Sequence, residues 1–204
     1  MKLKTLFALA VLTMTIAGCA TIEISSRNAA FVAPAASRAA QLVIRDYDVQ
    51  QVRVVVPQNL RSSESNGYYP LTDIVWRGDP LGNRHEQVGE ILQTATTRGT
   101  DALDGAVPVI AEVTLIRWHG VTERTRYSVG GVYSIQFYLE VRQAETGAVI
   151  EPARLIEVNL PAPGGQAAVA LEQSGQTEKV RVTDHLTWVF GQELGVDGPV
   201  ADPA

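Results

Sequence analysis

The sequence predicts an α+β fold, in which an antiparallel sheet of about five strands carries two amphipathic helices on one face as a two-layer sandwich. Three observations predict it. Several stretches alternate apolar and polar residues, as strands with one buried face do. Two others repeat apolar residues at helical spacing between recognisable caps. The links between three consecutive strand segments are short or carry turn residues, which suits antiparallel neighbours.

Taken in order, Val52, Val54 and Val56 alternate with Arg53 and stop at Pro57, which cannot continue a ladder. Ile74, Val75 and Trp76 form a shorter strand. Asn83, with Glu86 three residues on, caps a helix whose Val88, Ile91, Leu92 and Ala95 share one face until Gly99 ends it. From Val107 to Trp118 the chain is β-branched, with Val109, Ala111, Val113 and Leu115 on one side. The cleanest alternation sets Tyr133, Ile135, Phe137, Leu139 and Val141 against Ser134, Gln136, Tyr138, Glu140 and Arg142. A turn at Glu145, Thr146 and Gly147 leads to a strand holding Ile156, Val158 and Leu160. Thr177 then caps a second helix, striped by Val182, Leu186, Val189 and Phe190 and ending near Gly195.

Ahead of this domain, residues 1–18 read as a signal peptide with positive Lys2 and Lys4, an apolar run from Leu6 to Ile16, and small Ala17 and Gly18. The run falls short of the roughly 20 apolar residues that span a bilayer. Ile16, Ala17, Gly18 and Cys19 together resemble the lipobox of bacterial lipoproteins, which implies lipidation of Cys19 as the first residue of the mature chain. Cys19 is the only cysteine, so disulfides cannot staple the domain and an ordinary core must hold it. Residues 19–40 read as a lipid-anchored tether, 41–195 as a single α+β domain, and 196–204 as a loose tail rich in Gly, Pro and Asp. In lipoproteins an aspartate after the cysteine resembles an inner-membrane retention signal; Ala20 stands there instead, so the expected location is the outer membrane, facing the periplasm.

The formal net charge is -5, and loss of Lys2 and Lys4 with the signal peptide lowers it to -7. An acidic chain argues against nucleic acid or an anionic membrane surface as the main partner, because both reward clustered Lys and Arg.

Two further stretches carry a resemblance. One is the run from Ser63 to Pro70, Ser-Glu-Ser-Asn-Gly-Tyr-Tyr-Pro, leading into Asp73 to Pro80. The other is Thr122, Glu123 and Arg124, continued by Arg126 to Gly131. With these, the chain resembles an uncharacterised family of alphaproteobacterial lipoproteins, a domain of unknown function. The resemblance implies no activity, substrate or catalytic residues. More distantly, the order of strands and helices is similar to small periplasmic lipoproteins that serve transport systems as auxiliary parts, a likeness of fold only.

Chemistry-bearing constellations are sparse. His85, His119 and His185 lie on separate elements with no second histidine or cysteine at a metal-binding spacing, so no metal and no cofactor is expected. No nucleophile elbow occurs, and Gly130 with Gly131 precedes a strand, where a turn explains them better than a phosphate. Glu86 and Glu90 read as a solvated helix face, and Arg77-Gly78-Asp79 before Pro80 as a turn rather than an adhesion tripeptide.

The link from Thr122 to Val132 is longer than the roughly 2–5 residues of a hairpin loop. It holds Arg124, Arg126 and Tyr127, while Tyr68 and Tyr69 sit in a second loop. Arg and Tyr supply much of the binding energy at interfaces, so these five are the candidate partner-contact residues. The plainer alternative pairs the arginines with surface carboxylates and lays the tyrosines over the rim of the core. The functional expectation is a non-enzymatic interaction or auxiliary component of a cell-envelope complex. A carrier of a lipid or small apolar ligand is the alternative, and an enzyme with a dispersed site the third choice.

Overall fold

Alternating segments become β1 (Tyr47–Val55), β2 (Ile74–Val75), β3 (Val107–His119), β4 (Gly131–Gln143) and β5 (Val149–Ala162). The helices are α1 (Arg84–Thr100), α2 (Glu123–Arg126), α3 (Gln166–Gln173) and α4 (Glu178–Leu194). The computed structural model describes residues 45–195. The expected signal peptide, Cys19, the tether and the tail lie outside the described residues.

The strands make one five-stranded sheet in the order β1-β3-β4-β5, with β2 pairing β3 beyond the end of β1. The expectation of an antiparallel sheet holds for β3, β4 and β5 and fails for the rest, so the sheet is mixed. Both β1 and β2 run parallel to β3. The cause is α1, which lies between them and β3 in the chain. A crossover helix returns the chain to the end it started from, whereas a short turn reverses it.

Side chains of period two give β4 one buried face, Tyr133, Ile135, Phe137, Leu139 and Val141. Opposite them Tyr138 of β4 and Leu155 of β5 remain exposed. The buried face meets α1 and α4, as expected: the Phe137 ring lies 5.1 Å from Phe190, and the apolar stripes of both helices join the same core. Asn83 accepts from the backbone N–H of His85 and Glu86, and Thr177 from that of Val180, so both predicted N-caps form.

Gly99 does not end α1. The helix runs on to Thr100, and a Cβ at Gly99 would stand 2.4 Å from the Thr187 carbonyl oxygen of α4. Absence of a side chain here lets two helix backbones approach closely. The helix count also departs from the expected two. α2 is a single turn, too short to display a period, and α3 buries only Ala168 and has no side-chain cap.

Candidate functional site

Two loops converge on the end of the sheet where β2 and β3 stop. The first, between β1 and β2, closes at its neck: Arg61 accepts at its carbonyl from the Ile74 N–H at 2.9 Å, and its own N–H donates to Asp73 Oδ2 at 2.8 Å. Two buried arginines pin its middle to the body. Arg84 donates to both Glu64 oxygens, at 2.8 and 3.1 Å. Arg77, with its side chain 3% exposed, pairs with Glu64 and Glu123 and donates to the Ser63 carbonyl. Asp79 meanwhile accepts from Trp76 Nε1 and from Lys179. The Arg-Gly-Asp tripeptide is therefore internal bracing.

The second loop is the link after β3. Thr122 caps α2 and donates to the Gly67 carbonyl at 2.8 Å; Thr125 donates to the Tyr68 carbonyl at 3.0 Å. Asn66 Oδ1 accepts from the Arg124 N–H at 2.8 Å. Gly130, at φ 73°, packs so tightly that a Cβ would stand 2.5 Å from the Ala162 carbonyl oxygen at the end of β5. The loops are thus tied to each other and to the sheet by groups that leave their tyrosines pointing outward.

Between them lies a groove of about 540 Å³, walled by Tyr68, Tyr69, Val121, Val129 and Val132, with His119, Ser134 and Asn159 also lining it. Tyr69 is 64% exposed and Val129 76%. The Tyr69 ring lies 4.5 Å from that of His119, and its hydroxyl accepts from Arg117 at 2.8 Å. The Arg124 guanidinium sits 4.9 Å from the Tyr68 ring centroid, within cation–π range. Neither Arg117 nor Arg124 makes an ion pair among the described residues.

Of the five residues singled out from the sequence, Tyr68, Tyr69 and Arg124 come together here. Arg126 does not. Its side chain is 11% exposed and paired with Glu172 and Glu178, so it braces the link against α3 and α4. Tyr127 follows it, with its hydroxyl on Glu172. Arg117, Val129 and Val132 escaped the sequence reading. Arg117 stands just past a bulge in β3, which turns it to the outer face out of phase with the alternation before it.

Other candidate chemistry is structural. His85 Nε2 and His119 Nε2 each lie 2.9 Å from a backbone carbonyl, that of Leu60 and that of Pro70. His185 stacks against Trp188. Among the described residues, no group of three or more His, Cys, Asp or Glu side chains is placed to hold a metal ion.

The braces make acid sensitivity a property of this end of the molecule. The hydrogen bond from Arg84, helped by Arg77, holds the Glu64 carboxyl below the usual carboxylate range. Burial holds His119 below the ordinary 6.5, against the opposing bond to Pro70. At the other end of the sheet, burial pushes Glu151 up, but hydrogen bonds from Arg45 and Tyr47 together outweigh it and leave it lowered. Each group binds its proton more readily unfolded than folded, so each contribution is present at neutral pH and lost as pH falls. His119 acts first, below its ordinary value, and the carboxylates act lower. The expected result is a urea midpoint that falls monotonically from about pH 7 to about pH 4, with Glu64→Gln flattening the lower part. A midpoint that rises with acid would contradict this assignment.

A family model described as a family of unknown function, DUF6778, matches residues 47–203, which takes in both loops and every described strand and helix. The chain belongs to this family. Membership carries no activity with it. Solved structures similar to the chain include a protein of Caulobacter crescentus provisionally named a lipoprotein, at 15% identity and TM-score 0.29, covering 60% of this chain and 84% of that one. Another, from Xanthomonas campestris and assigned to DUF330, has 15% identity and TM-score 0.36, covering 72% and 88%. A third, an uncharacterized protein, has 15% identity and TM-score 0.34, covering 74% and 93%. No curated protein matches the chain. No helix among the described residues is long and apolar enough to cross a membrane.

Proposed function

We propose that this member of DUF6778 is a non-enzymatic component of a cell-envelope complex, held through lipidated Cys19 at the outer membrane on the periplasmic side. Its partner contact is the groove framed by Tyr68, Tyr69, Arg124 and Val129. The observation that carries the reading is the chemistry of that rim. Exposed tyrosines and valines on braced loops offer contact area at little ordering cost, and two arginines lie on those tyrosines without a carboxylate of their own. Most other arginines of the described residues are ion-paired. The complementary surface is therefore an apolar anchor flanked by carboxylates on a protein.

The test is affinity capture from native membranes with a carboxyl-terminal tag, comparing wild type with Arg124→Glu and Tyr69→Ala. A Cys19→Ala variant reports on localisation. Retention of a stoichiometric partner should fall at least about tenfold in both groove variants, the scale of a hot-spot residue. Equal recovery from all three would remove the contact from this groove. A second reading has one observation in its favour: the groove is large and mostly apolar, so it suits a carrier of a lipid or small apolar ligand. Co-purification of a lipid lost on Tyr69→Ala, without a protein partner, would favour that reading.

A further inference from the structure

The groove between the two loops has a polar floor beneath its apolar walls. His119, Ser134 and Asn159 stand in register on β3, β4 and β5 and line it as one row across the sheet. His119 is 4% exposed, and its Nε2 meets the Pro70 carbonyl at 2.9 Å. A carbonyl only accepts, so Nε2 carries the proton and the neutral ring leaves Nδ1 as a bare acceptor. Burial lowers His119 and so keeps the ring neutral at about pH 7. Nδ1 has no hydrogen-bond partner among the described residues and is not sealed from solvent, so it opens on the groove that His119 lines.

We propose that the partner's anchor in this groove is an aromatic side chain that carries a hydrogen-bond donor, a tryptophan or a tyrosine. The inference rests on the protein-partner reading of the groove. Such a side chain has an apolar body for the walls of Tyr68, Tyr69, Val129 and Val132, and a polar tip that donates to Nδ1. The floor decides against the alternatives. A leucine, a phenylalanine or an acyl chain would strip water from Nδ1 and return no hydrogen bond. A carboxylate or phosphate at the floor would face the Nδ1 lone pair. A lysine would have to pass Arg117 and Arg124, which make no ion pair among the described residues.

The test uses an acetylated, amidated tripeptide with tryptophan between two aspartates, and its tyrosine and phenylalanine counterparts. Binding to the full chain in phosphocholine micelles would be followed by amide and imidazole NMR shifts at about pH 7.5. The tryptophan and tyrosine peptides should bind at about 0.1–10 mM, and the phenylalanine peptide about tenfold more weakly, for want of one hydrogen bond. Tyr69→Ala should weaken all three. Protonating His119 turns Nδ1 into a donor, from which an indole N–H cannot accept. The charged and titratable side chains beside that ring are Arg117 of β3 and Tyr69 of the loop; its neighbours on β2 and β4 are Val75 and Ser134. The tryptophan peptide should therefore lose its lead over phenylalanine once the His119 imidazole signals have titrated. No binding by any peptide, equal binding by all three at neutral pH, or a lead that survives protonation of His119 overturns the proposal. Equal binding that Tyr69→Ala still abolishes would overturn the anchor and leave the groove as a protein contact, so the two readings fail separately.

Discussion

Arg126→Ala should lower the stability of the fold by about 3–5 kcal/mol, the cost of leaving one member of a buried ion pair alone. Glu178, on the first turn of α4, is 6% exposed and faces Arg126 and the Tyr133 hydroxyl, which donates to it at 2.6 Å. Burial pushes that tyrosine up to about 12, so it stays a donor throughout the neutral range. Without the guanidinium, the carboxylate keeps the Tyr133 hydroxyl as its neutral partner in a site where it is nearly buried. Glu178→Gln should cost less, because it removes the charge together with its need for compensation while Glu172 still pairs with Arg126. Urea midpoints at an unchanged slope measure both. If Arg126→Ala lost under about 1 kcal/mol, the value of a surface pair, the link would not depend on this brace. The arginine whose loss unfolds the link is thus distinct from Arg124, whose loss should weaken partner capture and leave stability nearly unchanged.

Phe190→Ala should cost a similar amount, about 3–5 kcal/mol, by opening a cavity where α4 meets both the sheet and α1. The ring is fully buried against Phe137, and the Phe190 Cβ stands 3.1 Å from where a side chain at Gly99 would begin. The close helix crossing leaves little room for collapse into the space, so the upper part of that range is expected. Against a total stability of about 5–15 kcal/mol, such a loss should bring thermal unfolding well below that of the wild type. A drop in melting temperature no larger than that of an exposed substitution such as Leu155→Ala would mean that this layer is not what holds the helices.

Both variants mark places where the sequence was only half legible. Phe190 could be assigned to a buried stripe because Val182, Leu186 and Val189 repeat beside it at helical spacing. Arg126 could not be separated from Arg124, since both stand in one polar run and nothing local distinguishes them. Tyr68 and Tyr69 could be read as exposed loop residues, but not their meeting with Arg117 and His119, which come from the far end of β3.

What the sequence determined by itself is what contiguous residues encode: the strand and helix periods, the Asn83 and Thr177 caps, and the antiparallel run of β3, β4 and β5. Only the tertiary structure decided that β1 and β2 run parallel to β3, that Gly99 is a crossing point rather than a stop, and that Arg126 is buried in ion pairs while Arg124 has no carboxylate partner among the described residues. The reason is physical. Periods and caps are settled within a turn or two of chain, whereas strand direction, helix approach and charge compensation depend on groups that meet only after the chain has folded.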